Sequence, residues 1–477
     1  MKKLINDNYL SSKVRHSYVP KRIFVSEFAL SYSRTQEIIE RIKIINKNVK
    51  IIFISTNTPE RPKLKGRVLH KYLKESLVIC KRSANYLEVF ASPGNIVENM
   101  SVMGKIHFHC PLQCAFCYLN VAGRGTPWTR VYVDVENFYE QAVKERFVYR
   151  MAQTLWSAVS YEKNISFDKV PDKFKKVGDE IIRKKVLRKR DGINNDDEGI
   201  NYIKNNLRML FDEINIELSD KDEIKLKKKI KKYYSINASN PLSVNISEYS
   251  DVLALDHITN VMDELMQFVN KDPEFNIKFR TKAANVKNLL NYNGNNQVRV
   301  TFGLNTEYVI DNIEKGTASL KERIEAVNKL MKRGGYKIDL SIEPIIMYDG
   351  YENDYKRLVK RIKKEIDLSK IENIKIGTVR YKTILKNFIT RIFPNSELTS
   401  SFNKLVEPEK GDKRWRYGKD DRIKIYSIIK DELKGIKNIK LGLGTEVPEL
   451  WDDVGLDKNM PHSDVVYQYK ENEKRKK

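Results

Sequence analysis

The second half of the chain alternates between two hydrophobic patterns. Short strand-like runs rich in apolar residues occur at residues 242–246, 276–280, 297–302, 337–342 and 373–377. Between them, apolar residues recur with the period of an amphipathic helix at 256–269, 284–290, 320–333 and 355–366. Such alternation is typical of parallel βαβ units. With a further strand at 105–109, it predicts six units and an α/β fold built on a partial (β/α)6 TIM-like barrel, in which chemistry lies at the carboxyl ends of the strands.

The N-terminal region shows the same alternation on a smaller scale. Strands are predicted at 22–26, 49–55 and 76–80, and a helix is predicted at 34–45. A polar, basic stretch at 57–74 has no predicted element. We interpret this region as a small α/β lead-in packed beside the main domain. Cys80 ends its last strand, where a buried structural thiol is favoured.

The character of the chain changes between residues 162 and 239. Basic segments flank an acidic turn at 194–198, and apolar residues such as Leu207 and Phe211 recur at helical spacing. This predicts a helical insertion whose basic faces either contact phosphate or are simply solvated. The predicted organisation is an N-terminal α/β region (1–104), a first barrel unit with a cysteine loop (105–160), the insertion (161–240), the rest of the barrel (241–400) and a C-terminal region (401–477).

The chain is strongly basic. Lysine and arginine number 88, aspartate and glutamate 63, which gives a net charge of +25. This excess favours a polyanionic partner, with nucleic acid ahead of a membrane surface, although lysine is abundant throughout the chain. No apolar run approaches the length that spans a bilayer, and the N-terminus lacks the apolar core of a signal peptide. We therefore expect a cytoplasmic protein that does not associate with membranes.

Three of the four cysteines lie in one loop, at Cys110, Cys114 and Cys117. Thiolates are soft ligands that suit iron–sulfur clusters and zinc. Three of them at this spacing can hold three corners of a [4Fe–4S] cube and leave one iron without a protein ligand. Zinc would need a fourth ligand, for which His107, His109 and Cys80 are candidates. Closely spaced thiols in a cysteine-poor chain favour a reducing compartment over disulfides.

Basic and aromatic residues alternate at 413–419 around Gly418, and a second such run follows at 422–426. This pattern predicts a hairpin that lays positive charge on phosphates and aromatic rings against bases. A surface hairpin without a ligand explains the pattern equally well.

The Cys-x3-Cys-x2-Cys spacing resembles the signature of radical S-adenosylmethionine (SAM) proteins. Nearly the whole chain outside the insertion resembles one branch of them, the spore photoproduct lyase family, through residues 110–119, 130–134, 250–259, 280–282, 308–317 and 414–418. The resemblance implies a radical SAM barrel, a [4Fe–4S] cluster and SAM. It also implies nucleic acid as partner, with DNA favoured, and an electron donor such as flavodoxin or ferredoxin. In that family a 5′-deoxyadenosyl radical formed from SAM abstracts hydrogen to reverse a thymine photodimer.

The resemblance also implies roles for individual residues. The cysteine trio would ligate the cluster, Ser250 would lie near the SAM amino group, and Lys282 would reach the SAM carboxylate. Asn305 is expected at the cofactor, two residues after Gly303, which stands where the family has a serine. Tyr118 matches a family tyrosine beside the cluster and is expected to contact SAM and to act in catalysis. The residues expected to contact nucleic acid are Arg414, Trp415, Arg416, Tyr417 and Lys419.

Two departures from the family pattern concern the radical chemistry. The family has a hydrogen-donor cysteine where this chain has Glu248, and a carboxylate O–H bond is too strong to replace a thiol. Phe116 lacks the hydroxyl of the tyrosine that the family has before its last cluster cysteine. We therefore expect SAM cleavage with an outcome other than standard repair. Glu248 would be catalytic as an acid, base or hydrogen-bond acceptor, or would merely pair with the SAM ribose or a basic side chain.

Three other functions are compatible with the sequence. The chain could be a genuine photoproduct lyase that uses another hydrogen donor. It could be a nucleic-acid-binding protein whose metal site is only structural. A radical SAM enzyme for peptides or small molecules would explain the cysteines but not the basic and aromatic tail. If the substrate is a base in duplex DNA, it must be flipped out of the stack to be reached.

Overall fold

The computed structural model describes residues 18–90, 101–122, 128–144, 146, 224, 241–407, 414–436 and 440–456. The predicted insertion at 161–240, apart from residue 224, and Lys413 lie outside the described residues. No helix among the described residues has both the length and the apolar character needed to cross a bilayer.

The described strands form two large sheets and two small ones. In chain order they are β1 Arg22–Ser26, β2 Lys50–Ile54, β3 Ser76–Cys80, β4 Leu87–Phe90, β5 Ser101–Gly104, β6 His107–Phe108, β7 Gln113–Cys114, β8 Thr129–Tyr132, β9 Leu242–Asn245, β10 Phe275–Thr281, β11 Val298–Gly303, β12 Glu314–Lys315, β13 Tyr336–Ile345, β14 Ile371–Thr378, β15 Arg380–Lys382, β16 Leu405–Val406, β17 Arg414–Tyr417 and β18 Lys440–Leu443.

The described helices lie mainly between strands of the main sheet. In chain order they are α1 Ser33–Ile45, α2 Gly66–Lys74, α3 Val135–Lys144, α4 Val252–Thr259, α5 Val261–Lys271, α6 Lys287–Leu290, α7 Glu307–Asn312, α8 Leu320–Arg333, α9 Tyr351–Glu365, α10 Thr383–Ile392, α11 Glu397–Ser400, α12 Lys419–Glu432 and α13 Pro448–Val454.

The main sheet has the order β18-β14-β13-β11-β10-β9-β5-β4. Its strands are parallel except for β4, which runs antiparallel to β5 at one edge. In the described part of the chain β4 and β18 do not pair with each other, so the sheet is open. The prediction of a partial, barrel-type α/β fold is therefore confirmed, and β18 adds a parallel strand that the sequence pattern did not reveal.

The N-terminal sheet has the order β2-β1-β3-β8-β6 and is parallel apart from β6. It packs on α1, and α4 of the main domain completes the same core: Ile38 and Ile42 of α1 join Leu255 and Ile258 of α4. Every residue of β3 is buried, which explains its continuous apolar sequence. Burial also raises the pKa of the Cys80 thiol to about 12, as expected of a structural cysteine.

The structure divides the first barrel unit differently from the sequence prediction. The strand expected at 105–109 is reduced to β6 and belongs to the N-terminal sheet, whereas β5, just before it, pairs with β9 in the main sheet. The predicted boundary at 104/105 therefore separates β5 from the barrel to which it contributes. The last residue of β5 is Gly104. A side chain does not fit at this position, because a Cβ would lie 2.6 Å from the ring of Phe138.

Three local predictions also need correction. The helix predicted at 256–269 is two helices, because Asn260 adopts a left-handed conformation with φ 55° between α4 and α5. The basic stretch at 57–74 contains α2, which the sequence analysis missed. Residues 422–426 lie in α12, so the tail is a strand, β17, followed by a helix.

Candidate active site

The cysteine loop contacts both the N-terminal α/β region and the main domain. Its strand β7 pairs antiparallel with β12, which brings Cys114 opposite Glu314. The backbone N–H of Ala115 donates to the carbonyl of Ile313 over 3.0 Å. From the N-terminal side, Lys74 Nζ donates to the carbonyl of Cys110 over 2.7 Å. The shape of the loop is thus fixed by residues that are distant in the sequence.

The three thiols share an interior environment with nearby cations. Cys110 and Cys114 are buried and Cys117 is half-buried. Burial raises the pKa of Cys110 to about 12, and it also raises the pKa values of Cys114 and Cys117. The charge of Lys74 opposes this rise at Cys110 and Cys117, and that of Lys282 opposes it at Cys114 and Cys117. These cations favour the thiolate form that a metal cluster requires.

The three thiols can be tested against a cluster by their chemistry. Within the described ranges, no group of three His, Cys, Asp or Glu side chains is placed to hold one metal ion. Iron–sulfur clusters are held by cysteine thiolates, and the loop supplies three of them. The donor set therefore fits a [4Fe–4S] cluster by residue type.

Glu248 and Tyr118, predicted separately as catalytic, are in direct contact. The Tyr118 hydroxyl donates to Glu248 Oε1 over 2.9 Å and also to the Glu248 carbonyl. The ring of Tyr118 is partly exposed, whereas desolvation of its hydroxyl, reinforced by the charge of Glu248, raises the pKa of Tyr118. The hydroxyl therefore stays protonated at neutral pH and acts as a hydrogen-bond donor.

Ser250 has an unsatisfied hydroxyl at the carboxyl end of the β9 segment. The residue is buried, and its Oγ makes no hydrogen bond within the part of the chain that the structure describes. The next residue, Asp251, caps α4 and accepts the backbone N–H of Lys282 over 2.7 Å. Ser250 is thus held rigidly with an orphaned polar atom, which is an arrangement that a bound ligand would complete.

Lys282 follows β10 and lies beside the cysteine loop. Its Nζ donates to Glu314 Oε1 over 2.6 Å and to the Glu343 carbonyl over 3.0 Å. The same Nζ lies 5.3 Å from the centroid of the Phe116 ring. Glu314 is fully buried and also pairs with Arg323. Although burial alone would raise it, the pKa of Glu314 is lowered by the charges of Lys282 and Arg323.

Gly303 provides the space in which Lys282 lies. A Cβ at position 303 would lie 3.1 Å from Lys282 Cγ and 3.3 Å from Nζ. The serine that the family has here would press on the lysine side chain, so the glycine is matched to the observed position of the ammonium group.

Asn305, which was predicted to bind the cofactor, has its side-chain amide engaged within the protein. Its side chain is completely buried. Nδ2 donates to the Pro344 carbonyl over 2.9 Å and more weakly to Glu314, while Oδ1 accepts from Tyr355 and from the backbone of Thr306. These contacts use the donors and acceptors of the amide. Asn305 therefore contributes to the site by holding neighbouring residues such as Glu314 in place.

The basic and aromatic tail divides into an interior and a surface part. Arg416 and Tyr417 were expected to contact nucleic acid, but both are buried. Arg416 pairs with Glu446 over 3.1 Å, and the Tyr417 hydroxyl accepts the backbone N–H of Met347. Their expected contact with nucleic acid is corrected, because both side chains are buried against interior partners. Arg414 and Trp415 are half-buried, and Lys419 is exposed and paired with Asp453.

Several residues at the site were missed by sequence reasoning. Glu343 accepts from Arg280 over 3.0 Å and lies 3.9 Å from Arg380. It lies against Gly444, where any Cβ would be 1.8 Å from its Oε1. Glu314 and Arg323 were also missed, although Glu314 falls within the family-like segment 308–317. No sequence signal indicated Lys74, since it ends a helix that was not predicted.

The chain is similar in sequence to spore photoproduct lyases. A family model described as spore photoproduct lyase matches residues 217–446. The spore photoproduct lyase of Clostridium acetobutylicum is 28% identical over 194 residues, which cover 40% of this chain and 55% of the relative. That of Bacillus subtilis (strain 168) is 29% identical over 186 residues, covering 38% and 51%. The chain thus spans about half the length of the curated relatives that it matches.

The fold is similar to that of solved spore photoproduct lyases. One, complexed with dinucleoside spore photoproduct, superposes with a TM-score of 0.61 over 90% of this chain and 100% of its own, at 18% identity. A double mutant with bound AdoMet and dinucleoside spore photoproduct gives a TM-score of 0.60 at 18% identity, over 90% of this chain and 98% of its own.

The open parallel sheet and the three-cysteine loop are the features that the sequence analysis expected of a radical SAM protein. The family model, the curated relatives and the solved structures agree on one branch of that class. The chain is similar to the spore photoproduct lyase family in sequence and in fold.

Proposed function

We propose that the chain is a radical SAM enzyme that abstracts hydrogen from a nucleic-acid base, a thymine-like base of DNA being favoured, with an outcome other than standard photoproduct repair. When bound and reduced, a [4Fe–4S] cluster with SAM supplies a 5′-deoxyadenosyl radical. The observation that carries the proposal is the meeting of the three-thiol loop, the orphaned Ser250 hydroxyl and the Lys282 ammonium group. The names of the curated relatives support the same class of chemistry.

The chain offers a polar group for each end of the amino-acid part of SAM. An ammonium group has three N–H donors, and Lys282 uses two of them on Glu314 and the Glu343 carbonyl. The third can donate to the SAM carboxylate, as a charge-assisted hydrogen bond. The hydroxyl of Ser250, which lacks a partner in the described chain, can accept from the SAM amino group. The three cysteines would hold the cluster.

Glu248 makes the outcome different from that of the family. The pair with Tyr118 fixes the Glu248 carboxylate at the loop that follows β9. Tyr118 remains a donor to this carboxylate because its pKa is raised. Glu248 thus acts on the substrate as a hydrogen-bond acceptor or base, and it cannot return a hydrogen atom as a thiol would.

The surface part of the tail supports nucleic acid as the substrate. Lys386 Nζ lies 3.7 Å from the centroid of the Trp415 ring, and Lys382 is the strand partner of Arg414. An aromatic ring flanked by cations is the usual platform for stacking an unpaired base beside its phosphates. One solved relative is complexed with a dinucleoside photoproduct, which fits the same class of ligand.

The proposal requires a reducing location and an external electron donor such as flavodoxin or ferredoxin. The chain has four free cysteines among its described residues, and a reducing cytoplasm would preserve them.

The first test is hydrogen abstraction. We expect the anaerobically reconstituted protein to convert SAM to 5′-deoxyadenosine under dithionite, and to transfer deuterium into it from oligonucleotides with deuterated thymine. Cys114→Ala should abolish this activity, whereas Cys80→Ala, at a structural thiol, should retain cluster and activity. Absence of 5′-deoxyadenosine from a protein carrying a full cluster would refute the proposal.

The second test separates the proposal from genuine photoproduct lyase activity. With a dinucleotide photoproduct, the wild-type chain should release no thymine, whereas Glu248→Cys, which restores a thiol donor, should release it. Glu248→Gln serves as the matched control, because it alters the same position without adding a hydrogen donor. Release of thymine by the wild-type chain would establish the lyase alternative instead.

A further inference from the structure

Lys74 joins the N-terminal domain to the cysteine loop. It is the last residue of α2, and its half-buried side chain extends to the carbonyls of Cys110 and Leu112, over 2.7 Å and 2.9 Å. One ammonium group therefore binds two backbone carbonyls of the cysteine loop, one of them at its first thiol residue. Lys71, one turn earlier in α2, is exposed, so of these two lysines it is Lys74 that contacts the loop.

The electrostatic surroundings of Lys74 differ from those of Lys282. Lys282 donates to Glu314, so a buried carboxylate offsets its charge. The two acceptors of Lys74 are neutral carbonyls, and among the described residues its ammonium group forms no ion pair. A cluster ligated by thiolates is an anionic group, and reduction adds one more negative charge to it. A nearby cation in a partly desolvated site therefore stabilises the reduced form more than the oxidised form.

We propose that Lys74 is a positioning residue that fixes the cysteine loop and, through its charge, raises the reduction potential of the cluster. The proposal rests on the proposed function only in requiring that the chain carries a [4Fe–4S] cluster. A merely structural tie would affect folding or cluster uptake, but it would leave the potential of the loaded protein unchanged. The redox potential therefore distinguishes the two roles.

The test is a redox titration of the reconstituted full-length chain, followed by electron paramagnetic resonance, without SAM or nucleic acid. The variants are Lys74→Met, which removes charge and donors, Lys74→Gln, which removes charge and keeps N–H donors, and Lys74→Arg, which keeps both. Lys71→Met is the control for loss of a charge from the same helix. We expect a more negative midpoint potential in the Met and Gln variants and a potential near wild type in the Arg variant and the control.

Each outcome bears on the proposal. A loaded Met or Gln variant that titrates at the wild-type potential overturns it. If neither variant takes up iron but the Arg variant does, Lys74 acts as a structural tie, and the proposed effect on the reduction potential is overturned. Failure of the Arg variant to load overturns the role of the charge. Failure of the wild-type chain to hold any [4Fe–4S] cluster would instead refute the proposed function.

Discussion

Glu314 is a buried carboxylate on which two different parts of the site depend. One oxygen accepts from Lys282 and the other from Arg323; Glu314 and Arg323 are fully buried and Lys282 is half-buried. Arg323 also donates to the carbonyls of Gly303 and Ala318. The ion pairs and these carbonyl contacts form one network, so the position of Lys282 depends on a residue of α8 that is distant from any cofactor.

Removal of Arg323 should therefore be costly. In Arg323→Met, Glu314 loses its arginine partner and keeps Lys282 and a weak contact from Asn305, and two buried carbonyls lose their donor. We expect a loss of about 3–5 kcal/mol in the free energy of unfolding, as for other broken buried ion pairs. The measurement is urea denaturation of the apoprotein, with Lys321→Met on the exposed face of the same helix as control. The control should change stability by less than about 0.5 kcal/mol; a similarly small effect in Arg323→Met would contradict the network.

The role of a residue could be predicted from sequence where the residue belongs to a motif. It could not be predicted where burial of the side chain determines the role. Cys110, Cys114, Cys117, Ser250 and Lys282 come from family-like stretches, and their roles stay predictions. Arg416 and Tyr417 lie in an equally family-like stretch, yet both are buried. Consecutive residues of a strand face opposite sides of a sheet, so their burial comes from distant partners, Glu446 and Met347, which the sequence of one strand does not encode.

Among the elements, α8 shows how local sequence fixes a boundary. Ser319 accepts the backbone N–H of Glu322, and Glu322 in turn accepts the backbone N–H of Ser319. This capping box begins the helix at Leu320, where the hydrophobic pattern had placed it. The break between α4 and α5 has no comparable signal. The apolar pattern continues across Asn260, and only tertiary packing selects its left-handed conformation.

The capping box gives a prediction for element stability. Ser319→Ala removes the side-chain acceptor for the Glu322 N–H and should lower the free energy of unfolding by about 1 kcal/mol. Thermal and urea denaturation would measure it. Glu325→Ala, at an exposed position of the same helix, is the matched control and should have little effect. An equal loss in both variants would contradict the stabilising role of the cap.

At the scale of the whole molecule, the repeat of strands and helices predicted the class of fold but not the association of its sheets. The expected strand positions identified the main sheet. The strand expected at 105–109 is replaced in that sheet by β5, which pairs with β9. β6 and β8 join the N-terminal sheet instead. When the chain passes from one sheet to another within a few residues, each strand is too short to show a hydrophobic period in the sequence.

The interior histidines predict how stability depends on pH. Burial lowers the pKa of His107 from 6.5 to about 3 and that of His257 from 6.5 to about 4. Because the unfolded chain binds more protons than the folded one below pH 6.5, their stabilising effect is complete above that pH and is lost as the pH falls toward 4. Each histidine can contribute a slope of up to about 1.4 kcal/mol per pH unit. Asp256 acts in the opposite direction, since burial raises its pKa to about 7.

A variant isolates the histidine effect from that of the carboxylates. His107 is buried, so His107→Phe removes a titrating group and keeps an aromatic ring in its place. We expect the variant to lose less stability than wild type between pH 6.5 and 4, as measured by urea denaturation at each pH. Parallel pH profiles for the two proteins would contradict this account.

The attachment of the cysteine loop has a consequence for biosynthesis. Lys74 emerges from the ribosome before the loop, but Asp251, Lys282 and Glu314, which complete its surroundings, are translated long after Cys117. During that interval the three thiols lack the residues that surround them in the folded protein. If the loop holds a cluster, as proposed, we expect the cluster to be inserted only after Glu314 has been translated, into a domain that has begun to fold around the loop.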